Sequence, residues 1–324
     1  MTTDFLGIDV AKAKVDVALL KAGKVYQAAF KNTPKGFIAL QQWLEKHNST
    51  QLHIAMEATG SYWKAIANFL FQNGCAVSVI NPAQVNAFAK SELLRAKTDK
   101  VDAGAIARFC RAMNPKPWKP LSQALEELRS LVRRLQELKE MRLQESNRQQ
   151  DPGFSCAAQL SVEKMLTVLD KEIARIEKQI KAHIDQFPQL KAHFELLKTI
   201  PGIAEKTAAV LLAEIGDLAN YRSARQLAAH AGLTPRHRQS GSSIHGKSHI
   251  AKTGNGRLRR ALFLPAIVAK KSNPIIKDFC QRLLEAGKPK MVVIVVAMRK
   301  LLHIVYGVLK AKEVFNPNYL HAQA

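Results

Sequence analysis

The sequence of 324 residues is poor in cysteine and has no long apolar run. Its four cysteines are widely separated and form no CxxC pair, which excludes a disulfide framework and argues against a zinc site. No stretch reaches the ~18 consecutive apolar residues of a membrane-spanning helix. The best attempt, Met291–Met298, stops at Arg299 and Lys300. The amino terminus MTTDFLGIDV has no basic region followed by a long apolar run, so we predict a cytoplasmic protein with no membrane partner.

Acidic residues are also scarce. Asp and Glu number 26 against 49 Lys and Arg, giving a formal net charge of +23 and a pI near 10.0. This excess indicates a polyanionic partner, and nucleic acid is the leading candidate. The hydrophobic content of 47% can bury real cores, and the length allows two domains and a connector. The composition therefore predicts a globular nucleic-acid-binding protein.

Short β-prone runs alternate with helical patterns near the amino terminus. The strand-like runs are 5–10, 15–20, 25–30, 52–56 and 76–80, and helical spacing occupies 37–44 and 62–71. The order β-β-β-α-β-α-β-α is that of the ribonuclease H-like, or RuvC-like, fold. We therefore expect an α/β domain whose sheet combines an antiparallel meander with parallel strands covered by helices.

Four carboxylates fall where this fold would bring them together. Asp9 and Glu57 stand at the ends of the first and fourth strands, and the carboxyl ends of neighbouring strands open onto one crevice. Asp99 and Asp102 are three residues apart at the head of a helix and share one helix face. Such a cage suits one or two divalent cations, Mg²⁺ or Mn²⁺, for attack at a phosphodiester. The alternatives are ordinary turn and helix-start acids.

From Leu121 the composition changes to Leu, Glu, Arg, Lys and Gln with apolar residues three and four apart. Two long amphipathic helices are predicted, the first ending near Asn147 and the second covering 158–184, with a break at Asp151-Pro152-Gly153. They indicate antiparallel coiled-coil helices or a dimerisation arm, with charges that form only a solvated face. The predicted domains are 1–120 (RuvC-like), 121–187 (coiled-coil helical arm) and 188–324 (mainly α, carboxyl-terminal).

The carboxyl-terminal domain contains a helical hairpin and a basic segment. Leu196–Ala213 is predicted as two helices joined by Pro201-Gly202-Ile203, which fits a helix-hairpin-helix element that grips phosphate or, equally, an ordinary helical hairpin. Residues 236–300 carry 15 basic side chains against two acidic ones, which indicates phosphate neutralisation. The residues predicted to contact nucleic acid are Lys97, Pro201, Gly202, Ile203, Lys206, Arg236, Arg238, Lys247, Lys252, Arg257, Arg259 and Arg260.

A polar loop, Ser240-Gly241-Ser242-Ser243, lies in the basic segment. A serine hydroxyl becomes a good nucleophile only when a base, a cation or a metal assists its deprotonation. The residues alone do not choose among the three serines or exclude a flexible turn. Gly241–Ser248 also matches the phosphate-loop pattern GxxxxGK[ST], but no buried parallel strand precedes it, so we reject a nucleotide-binding role.

Together these motifs resemble those of the DEDD transposases of bacterial insertion sequences, the insertion-sequence one-ten family of bridge-RNA-guided recombinases. The resemblance covers nearly the whole chain and depends on GIDVAK, MEATGSYW, VINPAQ, AKTDKVDA with FCR after it, IPGIAEKTA, AGLTPRHRQSGSS and LRRAL. It implies that Asp9, Glu57, Asp99 and Asp102 occupy the four metal positions. It also implies that Ser240 is the nucleophile of a carboxyl-terminal transposase domain.

The same resemblance implies the partners. They are donor and target DNA, a non-coding bridge RNA encoded by the element, and further copies of the chain in a dimer or tetramer. A bacterial protein of this kind would be cytoplasmic and associated with the nucleoid when active. Two other functions fit the residues: a RuvC-like structure-specific nuclease that uses metal-activated water, and a non-catalytic nucleic-acid-binding protein.

Overall fold

The structure, a computed structural model, describes residues 3–49, 51–58, 60–92, 99–151, 153–240 and 244–318. At 99–100, 237–240 and 244–248 only the backbone is described. The chain divides into two units, Met1–Pro120 and Leu121–Ala324. The predicted arm and the predicted carboxyl-terminal domain both belong to the second unit, and their separation into two domains stays a prediction.

The first unit is built on a five-stranded mixed sheet. Its strands are β1 (Asp4–Val10), β2 (Lys14–Lys21), β3 (Lys24–Lys31), β4 (Leu52–Glu57) and β5 (Ala76–Ile80). The strand order is β3-β2-β1-β4-β5, with antiparallel pairing from β3 to β1 and parallel pairing from β1 to β5. This confirms the predicted meander followed by parallel strands.

Helices cover both faces of this sheet. They are α1 (Pro34–Lys46), α2 (Trp63–Gln72), α3 (Pro82–Ser91) and α4 (Asp99–Met113). The side chain of Thr33 caps α1 and that of Asn81 caps α3, so these two helices begin where the sequence supplies an N-terminal cap. Helices α1 and α2 bury the face that carries Leu6 and Ile8, whereas α4 packs on the opposite face, where Gly7 lies.

Helix α4 lies directly on β1 because Gly7 has no side chain. A Cβ at Gly7 would be 2.1 Å from the carbonyl oxygen of Ala103 and 2.3 Å from the backbone nitrogen of Ala107. Farther along α4, the Cys110 thiol donates to the carbonyl oxygen of His53, near the start of β4, at 3.7 Å. The helix therefore runs antiparallel to β1 and β4, and its first residues lie at the carboxyl ends of both strands.

Substitution of Gly7 should disrupt this packing. We expect Gly7→Ala to destabilise the first unit by about 1–3 kcal/mol, because the obstructing atoms are backbone and cannot rotate away. Urea unfolding measures the change as a shift in midpoint at constant slope. Gly104→Ala on α4 is the matched control, since its Cβ would approach only the flexible end of Arg108, at 3.3 Å. Equal stability of the two variants would contradict the prediction.

Two long helices open the second unit. These are α5 (Gln123–Gln149) and α6 (Cys156–Gln186), and they run antiparallel. His183 on α6 bonds the carbonyl oxygen of Ala124 at 2.8 Å near one end, and Arg142 on α5 binds Asp170 nearer the other. The predicted helix pair is confirmed with boundaries a few residues longer. Coiled-coil packing and a role in dimerisation stay predictions, and Pro152 lies outside the described residues.

The rest of the second unit is mainly helical, as predicted. Its elements are α7 (Pro188–Lys198), α8 (Glu205–Ile215), α9 (Ala224–His230), β6 (Pro235–Ser240), β7 (Ile244–Ile250), α10 (Gly256–Ala261), α11 (Phe263–Ser272), α12 (Pro274–Glu285) and α13 (Lys290–Ala311). The antiparallel β6–β7 hairpin was not predicted, because its polar sequence lacks alternating apolar residues. Since residues 247 and 248 lie in β7, no helix follows the phosphate-loop pattern there, which agrees with its rejection.

Helix α13 contains the apolar run near 291. The run of consecutive apolar residues ends at Arg299 and Lys300, as the sequence shows, but the helix continues through both residues to Ala311. By length and composition α13 is the one helix among the described residues that could span a membrane, yet half of its apolar window is buried within the protein. Its fully buried residues include Val293, Ala297, Leu301 and Val305. The helix is thus a core element of the second unit.

Candidate functional site

Asp9 and Glu57 lie next to each other at one end of the first unit's sheet. In the parallel register of β1 and β4, Ile8 pairs with Met56, so the following residues, Asp9 and Glu57, are neighbours on adjacent strands. Adjacent strands are about 4.8 Å apart, and side chains at the same register position share a face. Both residues are half-buried.

The face that these two carboxylates share is the one that α4 covers. Asp9 lies two residues after Gly7 in β1 and therefore on the same face of the sheet, and Gly7 touches the backbone of α4. Glu57 likewise lies two residues after Ala55 in β4 and on the same face, and Ala55 packs in one apolar cluster with Ile106 of α4. Both carboxylates therefore belong to the α4 side of the sheet.

The amino terminus of α4 brings two further acidic positions to the same end. Asp99 is the first residue of α4, and Asp102 lies one turn later and is half-buried. Because α4 begins at the carboxyl ends of β1 and β4, all four predicted positions lie at one end of one sheet face. The side chain of Asp99 and all of Lys97 fall outside the described residues.

The donor set suits a hard divalent cation, because carboxylate oxygens are its preferred ligands. Among the side chains that the structure describes, no three of the His, Cys, Asp and Glu type form a group that could hold a metal ion. A complete set would therefore need the side chain of Asp99 or an adjustment of the others.

Asp16 is a further carboxylate beside Asp9 that the sequence analysis did not predict. It pairs with Asp9 across β1 and β2, and it is only 4% exposed. Like charges in directly opposed positions destabilise a sheet. The ammonium group of Lys14, 3.0 Å from Oδ2 of Asp16, offsets part of that repulsion. The sequence held a signal for this pairing, because a short connection after Val10 places Asp9 and Asp16 at similar distances from the turn.

Ser240 lies in a strand and not, as predicted, in a loop. It is the last residue of β6, and its backbone pairs with Ile244 of β7, while residues 241–243 lie outside the described ranges. The base of this hairpin is fixed by the amide of Ala251, which donates to the carbonyl oxygen of Thr234 at 2.9 Å. Ser240 is therefore at the far end of the hairpin. Arg236 is exposed, and the side chains of Arg238 and Lys247 are not described.

The turn between α7 and α8 makes structural contacts. Gly202 has a φ of +101°, and a Cβ there would be 2.8 Å from the Cβ of Ala269 on α11. Pro201 is half-buried, Ile203 is buried, and the ammonium of Lys206 is 3.0 Å from Glu177. These contacts explain the glycine by close packing. A phosphate contact at this turn stays a prediction.

The basic residues around α10 divide into two groups. The Nη1 atom of Arg259 donates to the carbonyl oxygens of Ala231 and Lys252 at 3.0 and 3.1 Å, so this guanidinium stabilises the protein itself. Arg260 is exposed and pairs with Glu140 on α5. The side chains of Arg257 and Lys252 are exposed and remain accessible to a ligand.

A buried ion pair links α5 to α8 and corrects the expectation that the arm's charges are only a solvated face. Glu214 is 2% exposed, and Arg133 donates to it from Nε at 2.9 Å and from Nη2 at 3.1 Å. Asn255, which caps α10, donates to the same carboxylate at 2.7 Å. Burial raises the pKa of Glu214, but the hydrogen bonds from Arg133 and Asn255 and the nearby positive charges bring it below its ordinary value.

Loss of this carboxylate should destabilise the second unit. We expect Glu214→Ala to cost about 1–3 kcal/mol near neutral pH, because it removes two hydrogen bonds from half-buried Arg133 and leaves the side-chain amide of Asn255 without its acceptor. Since the folded pKa lies below the unfolded value of 4.5, the stabilisation is present above pH 4.5 and is lost as pH falls through the folded pKa. Thermal unfolding at pH 7 and below pH 4 measures both effects. Glu172→Ala, which breaks an exposed pair with Arg175, should leave the midpoint unchanged; a deficit for Glu214→Ala that does not shrink in acid would contradict the assignment.

Comparison with known proteins gives matches along most of the chain. A family model for DEDD transposases of the IS110 type, described as "Transposase", matches residues 6–151, and one described as "Transposase IS116/IS110/IS902 family" matches residues 194–281. The pilin gene-inverting proteins of Moraxella lacunata and Moraxella bovis are each 36% identical over 319 residues, which cover 98% of this chain and of the relative. A solved structure of T. thermophilus RuvC with a Holliday junction substrate covers 36% of this chain and 100% of its own at 17% identity, and its TM-score of 0.28 is too low to carry an argument.

Proposed function

The chain belongs to the IS110 family of DEDD transposases, and from that membership we propose that it cuts and rejoins DNA through Ser240 as nucleophile. It is a DNA transposase or recombinase. In the proposal, a RuvC-like first unit holds a divalent metal, Mg²⁺ or Mn²⁺, on Asp9, Glu57, Asp99 and Asp102. The observation that carries the proposal is the adjacency of Asp9 and Glu57 on the sheet face at which α4 begins.

The reaction is a pair of transesterifications. The Oγ of Ser240 attacks a DNA phosphate, the Oγ–P bond forms, the P–O3′ bond breaks, and the serine proton ends on the departing 3′ oxygen. The bound metal would supply neutralisation of the charge that develops on the phosphate. A 3′-hydroxyl of the partner strand then attacks the phosphoserine link and releases Ser240. One phosphoester replaces another in each step, so the exchange needs no external energy source.

The two halves of the proposed machinery lie in different units. The four carboxylate positions belong to the first unit and Ser240 to the second. In the proposal, a homo-oligomer, a dimer or a tetramer, assembles the complete sites, and serine and metal can come from different subunits. The high net charge of +23 supports a polyanionic substrate, here donor and target DNA.

A non-coding bridge RNA from the element is the proposed guide, because base pairing would then carry target choice. We expect one defined RNA to co-purify with the protein from its native host and to survive a wash at high salt, which removes RNA held only by phosphate contacts. Sequencing of the retained RNA identifies it. Recovery of only heterogeneous cellular RNA would contradict the guided form of the proposal and leave the serine chemistry untouched.

A further inference from the structure

A polar pocket of about 470 Å³ lies between the arm helix α5 and the turn before α10. Four residues that share one face of α5 form the first wall: Arg133, Gln136, Glu137 and Glu140. The second wall is formed by the segment that begins α10: Gly254, Asn255, Gly256, Arg257 and Arg260. A volume of this size is in the range of small-molecule sites and can contain one nucleotide.

Hydrogen bonds hold one residue of each wall in place. Arg133 is held by the two hydrogen bonds to buried Glu214, and the amide of Asn255 donates to the same carboxylate. The Oδ1 atom of Asn255 also accepts from the backbone nitrogens of Arg257 and Leu258. The two walls are thereby joined through one buried carboxylate, and a ligand would find the site already formed.

The two walls differ in charge. The α5 wall offers the amide of Gln136 and the carboxylate of Glu137, which is 3.5 Å from Arg134, while the carboxylate of Glu140 pairs with Arg260 of the opposite wall. The α10 wall offers exposed Arg257. A nucleotide satisfies both walls, because its phosphate pairs with a guanidinium and its base edge presents N–H donors and acceptors to amide and carboxylate groups.

Two glycines shape the second wall. Gly254 has a φ of +135°, and a Cβ there would be 2.3 Å from the carbonyl oxygen of His230, so only glycine fits. At Gly256 the nearest atom to a Cβ would be 3.6 Å away, so the backbone has room for a ligand to approach. A base that enters this pocket must be unpaired, because pairing would occupy the base edge that the pocket would contact.

We propose that this pocket binds one unpaired nucleotide of a nucleic-acid strand, with its phosphate on Arg257 and its base edge against Gln136 and Glu137. The inference rests on the proposed function only in taking nucleic acid as the ligand. It assigns base recognition to the arm helix, which sequence analysis left without a chemical role.

Binding of short single strands tests the pocket independently of catalysis. Full-length Ser240→Ala protein, without divalent metal, is titrated with labelled single-base oligodeoxynucleotides, their RNA counterparts and a duplex at several salt concentrations. We expect Gln136→Ala to reduce the affinity differences among the four bases by about fivefold or more. Arg257→Ala should weaken all single strands alike and lower the salt slope by about 0.7. The DNA and RNA arms identify which strand is bound.

Two controls accompany this test. Gln144→Ala changes an exposed glutamine elsewhere on α5 and should leave base preference intact. Unchanged circular dichroism confirms that each variant is folded. Unchanged base preference in Gln136→Ala would overturn the proposal, and so would equal weakening of duplex and single-strand binding by Arg257→Ala. The proposal would also fail if a free mononucleotide displaced the labelled single strand at an equal concentration of nucleotides. If these binding tests fail while protein that retains Ser240 still forms the Ser240–DNA adduct, the pocket alone is refuted.

Discussion

Ser240→Ala should form no covalent complex with DNA and should lower strand exchange by at least about 10⁴-fold, as removal of an essential nucleophile does in other enzymes. The physical reason is that no other atom would carry the phosphate between the two strands. DNA binding should persist, because the substitution removes one hydroxyl and no charge. Gel analysis of trapped protein–DNA complexes, together with a strand-exchange assay, measures both effects.

Neighbouring serines supply the control for this result. Ser242→Ala and Ser243→Ala change the same polar segment, and residues alone did not separate the three candidates. We expect both to retain the covalent complex. A complex that persists in Ser240→Ala would show that the nucleophile is wrongly assigned. Cleavage without any complex in the wild-type protein would favour the nuclease that uses metal-activated water.

Asp9→Asn should lower the metal-dependent rate by at least about 10²–10³-fold, because it removes a negative charge from the proposed metal site without changing side-chain size. Affinity for DNA should not fall, since the carboxylate repels phosphate. Strand exchange across a Mg²⁺ titration, with binding measured in parallel, separates the two effects.

Asp4→Asn provides a control on the same strand. Asp4 lies at the opposite end of β1, where its carboxylate is 3.5 Å from the ammonium of Lys21. We expect this variant to keep the wild-type rate at temperatures where it is folded. A full rate in Asp9→Asn would remove Asp9 from the metal site, and a loss of DNA binding equal to the loss of rate would favour the non-catalytic binding protein.

Much of the first unit could be predicted from sequence because its strands follow simple patterns. Short runs of β-prone residues predicted all five strands, and the parallel pairing of β1 with β4 makes Asp9 and Glu57 neighbours. The pairing of Asp16 with Asp9 could have been predicted from the tight turn between their strands. It was missed because an isolated aspartate in a strand resembles a solvent-facing residue.

The second unit was less predictable because its important contacts join distant segments. Nothing local marks Glu214 as the partner of Arg133 and Asn255, since the three residues lie on separate elements. The strands β6 and β7 carry mostly polar residues without apolar alternation, and the pairing that forms them is tertiary. Arg299 and Lys300 interrupt the apolar run but not α13, because a charged residue can continue a helix whose other face is buried.

The most direct test of the central claim is the mass of the peptide that becomes attached to DNA. Wild-type protein is incubated with DNA carrying the element's own ends, its retained RNA and Mg²⁺, then digested with protease and nuclease for mass spectrometry. The account predicts a 5′-nucleotide joined through its phosphate to Ser240, and no such peptide when the metal is chelated. Attachment at another residue, or cleaved strands with free 5′-phosphates and no attached peptide, would contradict it.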